Sequence, residues 1–161
     1  MKNVEKSVSF LETQFGKIRV ECTDTILISL RFTTQDMGTS DFEKTMKKGI
    51  RKKTMEQLAS YFSGELKRFD IKVAFQGTEF QKSVWLALRR IPYGQTRSYS
   101  DVAQSIGKPE AVRAVASAVA KNPIAIIVPC HRVIRSNGEI GEYAWGSSLK
   151  KKLLDLEGQA R

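Results

Sequence analysis

The sequence has only two cysteines, Cys22 and Cys130, and a single histidine, His131, among 161 residues. Two cysteines close at most one bridge, which excludes the disulfide framework of a small secreted scaffold. A structural zinc site takes about four Cys or His ligands. This chain has three such residues in all, two of them adjacent and badly placed to chelate together, so no metal site is expected. No apolar run approaches the roughly 18 residues of a membrane-spanning helix. The opening stretch MKNVEKSVSFLETQFG is charged and interrupted by polar residues, without the continuous apolar core of a secretory signal. A cytoplasmic protein with no membrane partner is expected. Acidic residues are also scarce: 17 Asp and Glu face 27 Lys and Arg, a net charge of +10. That surplus suits a polyanionic partner. It is spread along the chain, 14 basic against 10 acidic residues in 1–77 and 13 against 7 in 78–161, with no basic tail.

The pattern that is present predicts an α+β protein. SVSFLET, KIRVECT and TILISLRF alternate or run apolar and are separated by turn residues, as in an antiparallel meander. The charged segment TTQDMGTSDFEKTMKKGIRKK reads as a loop running into a helix. Met55, Leu58, Ala59 and Phe62 are its apolar face, and Gly64 stands at the C-cap position. FDIKVAF reads as a short strand or extended crossing. Gln76-Gly77 then marks a boundary between an N-terminal α/β scaffold domain, 1–77, and a mainly helical C-terminal domain, 78–161. In the second domain Thr78 caps a helix with Phe80, Val84, Trp85 and Leu88 on its apolar face. Pro92-Tyr93-Gly94 ends that helix, and Ser98 or Ser100 starts a short one, SDVAQSIG. Gly107-Lys108-Pro109 turns the chain, with Pro109 suited to the first position of the helix EAVRAVASAVAK. Two short helices about a tight Gly turn form a helix-turn-helix candidate. The second offers small apolar residues and one arginine, Arg113, instead of the Asn, Gln and Arg that read major-groove edges. It suits a minor groove better, with Arg113 reaching toward the base stack.

IAIIVPC reads as a buried strand ending at Pro129, which stops regular pairing ahead of Cys130. Apolar burial raises a thiol pKa, so reactivity there demands a neighbouring base or cation. His131 can supply the base and Arg132 a cation. A carboxylate should orient the imidazole, and Glu139, Glu142, Asp155 and Glu157 are all candidates by spacing. Cys22, in a strand, reads as structural.

Val128-Pro129-Cys130-His131-Arg132-Val133 resembles the active-site signature of the O6-alkylguanine-DNA alkyltransferases, the methylated-DNA–protein-cysteine methyltransferases. The likeness runs from Phe80 to Gly146 and resumes at LLDLEG, about half the chain. Within the family it most resembles the bacterial Ogt type and the C-terminal module of the adaptive-response protein Ada. The resemblance implies an RNase H-like N-terminal domain and a C-terminal domain whose helix-turn-helix binds double-stranded DNA as a monomer. It implies irreversible, single-turnover transfer of the alkyl group, without a cofactor, from a flipped-out O6-alkylguanine, and from O4-alkylthymine, to Cys130. His131 would be the base acting through a water, Glu157 its orienting carboxylate, Asn122 the hinge residue, and Tyr99 a donor to guanine N3. The N–H groups of Val133 and Ala144 would face O6, and the Cys130 and Val133 carbonyls the exocyclic amine, with Tyr143 as a wall. Trp145, where animal members have glycine and bacterial Ada-like members share the tryptophan, would narrow the entrance. Arg113 would fill the gap left by the base, with Ala114 and Ala116 close to the groove and Lys121, Arg132, Arg135 and Ser136 also on the DNA.

Two rival readings compete with it. An alkyltransferase-like protein that only grips alkylated DNA would carry tryptophan in place of Cys130. A cysteine hydrolase would need an acyl pocket with an oxyanion hole and would turn over repeatedly.

Overall fold

The computed structural model describes residues 4–35 and 49–158, and most of the charged segment that precedes the first helix lies outside them. Mixed α and β elements divide into two compact units, Met1–Phe75 and Gln76–Arg161.

In the first unit, strands β1 (Ser7–Thr13), β2 (Gly16–Cys22) and β3 (Leu27–Thr33) form an antiparallel sheet in the order β1-β2-β3. Alternation puts Ile18, Val20 and Cys22 of β2 on the buried face. Leu27 and the pair Leu30 and Phe32 differ in parity, yet all are buried. The register slips between Glu21 and Cys22, which pairs Cys22 with Leu27 while Val20 faces Leu30, and this irregularity brings both sets to one side. Helix α1 (Gly49–Phe62) buries Ile50, Thr54, Met55, Leu58, Tyr61 and Phe62. Ala59, expected inside, is exposed, and Tyr61 takes the inner position instead. Gly64, at φ +81°, ends the helix with Gly64 N–H on the Tyr61 carbonyl and Glu65 N–H on that of Ser60. The stretch FDIKVAF is an extended crossing joined to the sheet by one parallel bridge, Leu27 to Val73.

The second unit is mainly helical. Thr78 caps α2 (Glu79–Arg89) through a reciprocal pair with Gln81, and Ser98 caps α3 (Tyr99–Ser105) likewise with Asp101. Each cap contributes on the order of 1 kcal/mol. Trp85 is buried and donates its indole N–H to the Ala118 carbonyl at 2.8 Å, pinning α2 to α4 (Val112–Ala120). Between α3 and α4 the chain differs from expectation. Pro109 does not open the helix but sits inside a turn closed by Ala111 N–H on the Lys108 carbonyl, and α4 starts at Val112. Proline's fixed φ suits the second position of such a turn as well as a first helical turn.

The run Ile124–Val128 is buried, as expected, but it is not a strand. It folds into a tight turn in which Ile126 has φ +70°, a left-handed conformation costly for a β-branched side chain. Asn122 holds it: Nδ2 donates to the carbonyls of Val128 (2.8 Å) and Ile124 (3.2 Å), and Oδ1 accepts from Ile124 N–H (3.0 Å). A 3₁₀ turn, Cys130–Arg132, follows. The two-residue strand β5 (Val133–Ile134) then pairs in parallel with β4 (Arg97–Ser98), and α5 (Ser147–Leu156) closes the unit. Among the described residues no helix is long and apolar enough to cross a membrane.

Candidate active site

Cys130 is 3 % exposed and lines a pocket of about 200 Å³ with Tyr99, Ala116, Val119, Ala120, Glu142, Tyr143 and Ala144. A larger open cleft of about 590 Å³, between α2 and α3, is lined by no cysteine or histidine among the described residues. Behind the thiol, His131 Nε2 meets Glu157 Oε1 at 2.7 Å, with both side chains fully buried. A carboxylate only accepts, so Nε2 carries the proton and Nδ1 keeps its lone pair. Among the described residues Nδ1 has no hydrogen-bond partner. The arrangement leaves a neutral ring with its basic nitrogen uncommitted, one residue from the thiol.

Glu157, which follows α5, is compensated by the neighbour of its own partner. Arg132 donates Nε to Oε2 and Nη2 to Oε1, each at 2.9 Å, and Nη1 to the Ile91 carbonyl at 2.7 Å. Gly94 N–H approaches Oε2 at 3.4 Å. Gly94 also has φ +77°, and a side-chain carbon there would stand 3.1 Å from the Glu157 carbonyl, so glycine fits on both counts. Burial alone would raise the Glu157 pKa, but the hydrogen bonds and charges of His131 and Arg132 outweigh it and hold the carboxyl well below its usual range. Burial pushes His131 down, against Glu157, which pulls it up. Arg132 is therefore not available to DNA phosphate, contrary to the sequence-based expectation. It is buried and all three of its donor contacts point inward.

Burial pushes the Cys130 thiol up, while Asn122, the Lys150 ammonium and the Tyr143 hydroxyl favour its ionised form. Lys150 was not anticipated. It sits in the run Lys150–Lys152, which reads as a solvated face, yet it is 1 % exposed and donates to the carbonyls of Val133 (2.6 Å) and Glu142 (3.1 Å). Burial brings its pKa down to about 8. The signal was present in the spacing: 150, 153, 154 and 157 share one helical face, and the other three are buried. Tyr99 opens α3 and its ring lies 6.0 Å from the Lys150 ammonium; burial and then Cys130 push its hydroxyl up.

The remaining expected residues separate into two groups. Tyr99, Ala116, Tyr143 and Ala144 line the pocket, and Asn122 supports the turn before it. Trp145 packs edge-on to Tyr143, with ring centroids 5.3 Å apart, and does not itself line the pocket. Val133 departs from expectation, since its N–H donates to the Cys130 carbonyl and its own carbonyl accepts from Lys150. Both groups assigned to the guanine are thus already partnered. Arg113, Ala114 and Lys121 are exposed on or just after α4, and Arg135 and Ser136 are exposed beyond β5.

Comparison with known proteins agrees with this geometry. Residues 79–159 match the family model described as 6-O-methylguanine DNA methyltransferase, DNA binding domain. A methylated-DNA–protein-cysteine methyltransferase of Methanosarcina acetivorans is 62% identical over 102 residues, 63% of this chain and 65% of that protein. The match thus spans just under two thirds of that relative. One of the same name from Mycobacterium bovis is 43% identical over 147 residues, covering 91% of this chain and 89% of its own. The solved structure of Mycobacterium tuberculosis OGT in complex with DNA superimposes with a TM-score of 0.82 at 41% identity, covering 92% of this chain and 90% of that one. With the matched domain containing Cys130, His131 and Glu157, the chain belongs to the methylated-DNA–protein-cysteine methyltransferase family.

Proposed function

We propose that this protein repairs DNA by transferring the alkyl group of O6-alkylguanine irreversibly to Cys130, once per molecule and without a cofactor. The observation that carries this reading is the buried thiol on a base-sized pocket, backed by a histidine whose free nitrogen is set by a compensated carboxylate.

In this reading α3 and α4 act as a helix-turn-helix, with α4 in the minor groove of a duplex bound by one monomer. The exposed Ala114 and half-buried Ala116 allow close approach, and Lys121, Arg135 and Ser136 meet the backbone. The damaged guanine swings out of the stack, at a cost of a few kcal/mol, and Arg113 occupies the gap. In the pocket Tyr99 donates to N3, the Ala144 N–H faces O6, and Tyr143, against which Trp145 packs edge-on, forms a wall. Cys130 passes its proton through a bridging water to His131 Nδ1, and the imidazolium is stabilised by Glu157. The sulfur then attacks the alkyl carbon. The C–S bond forms as the C–O bond breaks, the electron pair leaves on O6, and the proton returns to the guanine. Lys150 supports the thiolate electrostatically, which matters most in a site this dry. The same pocket is proposed to admit O4-alkylthymine. A purely DNA-gripping role would not require the thiol and its paired base.

The test is to incubate the protein with duplex DNA containing O6-methylguanine and weigh it intact. One added methylene per molecule, with activity exhausted at one equivalent, supports the proposal. Tight binding without a mass change, or repeated turnover, overturns it.

A further inference from the structure

We infer that Glu142 selects substrates by charge: its carboxylate, at the rim of the Cys130 pocket, favours neutral and cationic O6 adducts and disfavours anionic ones. This inference rests on the alkyl-transfer reading and names a specificity determinant within it.

Glu142 is exposed, yet it lines the same pocket as the nucleophile. Its main chain is fixed, because its carbonyl accepts from Lys150 Nζ at 3.1 Å while that ammonium is anchored on the Val133 carbonyl at 2.6 Å. Among the described residues its carboxylate has no ion-pair partner. The nearby Arg135 is turned instead toward Glu139, at 3.5 Å. The charge of Glu142 is felt inside the pocket, where it joins burial and Cys130 in raising the Tyr99 hydroxyl pKa, with Arg135 opposing them.

The placement runs against the rest of the molecule. A chain of net charge +10 whose partner is a polyanion gains nothing in phosphate affinity from an unpaired carboxylate at its binding pocket. The carboxylate has a use if it faces the adduct. The substituent on O6 must pass the rim to reach sulfur, so a negative substituent meets a like charge on entry. A positive one meets an attraction, and a methyl group meets neither. Such a device works by repulsion of the wrong substrate, a common source of specificity.

The experiment measures transfer rates from three duplexes, bearing O6-methyl-, O6-carboxymethyl- and O6-(2-aminoethyl)guanine, to the parent protein and to Glu142→Gln. Ratios taken within one protein cancel differences in folding and DNA affinity. Glu142→Gln should raise the carboxymethyl-to-methyl ratio about fivefold or more, the scale of one charge pair near contact in a water-like dielectric. It should lower the aminoethyl-to-methyl ratio by a similar factor. Ratios that stay put, or that move in the same direction as steric relief would move them, overturn the inference. A parent protein that is methylated normally while the ratios stay fixed sinks only the role of Glu142. A parent that accepts no methyl group sinks the alkyl-transfer reading as well.

Discussion

Replacing Arg132 by methionine removes a guanidinium while keeping much of its apolar stem. The loss comprises two 2.9 Å contacts to the Glu157 oxygens and one 2.7 Å contact to the Ile91 carbonyl. The Glu157 side chain, fully buried, would keep His131 and the long approach from Gly94 but lose its guanidinium. Breaking a buried ion pair from one side costs about 3–5 kcal/mol, and a stranded carbonyl adds about 1 kcal/mol. The expected loss is therefore about 4–6 kcal/mol, a large share of the 5–15 kcal/mol typical of a domain. The uncompensated carboxylate would also draw a second proton onto His131, occupying the nitrogen the thiol needs. Urea unfolding followed by tryptophan fluorescence reads the stability directly, because both tryptophans, Trp85 and Trp145, lie in the second unit. The midpoint should fall with the slope unchanged. If Arg132 met a phosphate instead, stability would hold and the log–log salt dependence of DNA binding would lose about 0.9 in slope. That pair of results would refute the buried-network assignment.

Asn122→Ala removes three hydrogen bonds around a strained turn and should cost about 2–4 kcal/mol; it should also slow Cys130 alkylation by a neutral thiol reagent, and an unchanged rate would contradict its role. Lys150→Met should move the pH profile of that same alkylation upward, because the thiolate loses its nearest cation; a profile that stays in place would exclude the electrostatic role. Stability should fall on acidification in two stages. His131 is held below its ordinary 6.5, so the unfolded chain takes up its proton first and stability declines below about pH 6.5. Glu157 is held below its ordinary 4.5, so its contribution is present above about pH 4.5 and is lost as the pH falls further; unfolding midpoints across pH 8 to 3 in the parent and in Glu157→Gln check this, and an equally steep lower limb in the variant would contradict it. Arg113→Ala should slow repair of duplex DNA more than reaction with free O6-methylguanine, since only the duplex requires flipping, and equal losses would count against the finger role.

Much of this architecture is written in local chemistry. Alternation marks β1 to β3, and Thr78, Ser98 and Gly64 are cap residues whose side chains or missing Cβ act within a few residues of themselves. The pairing of Cys130 with His131 is likewise visible as a neighbouring thiol and base. What escaped depends on distant partners. An apolar run such as Ile124–Val128 looks the same whether it is buried as a strand or as a turn, and a single amide, Asn122, decides between them. Arg132 looks like any basic residue near a DNA site until Glu157, 25 residues later in the chain, is folded against it. Lys150 is hidden by its two solvated neighbours, Lys151 and Lys152. Charge alone does not reveal which lysine of a run lies on the inner face of its helix.

The most direct test follows a labelled methyl group from O6-methylguanine in a duplex into this protein, then maps it by peptide mass spectrometry. The second cysteine, Cys22, is buried in the other unit and serves as an internal control. The expected result is stoichiometric label on Cys130 alone, abolished by Cys130→Ser. Label on Cys22, or lesion removal that survives in Cys130→Ser, would contradict it.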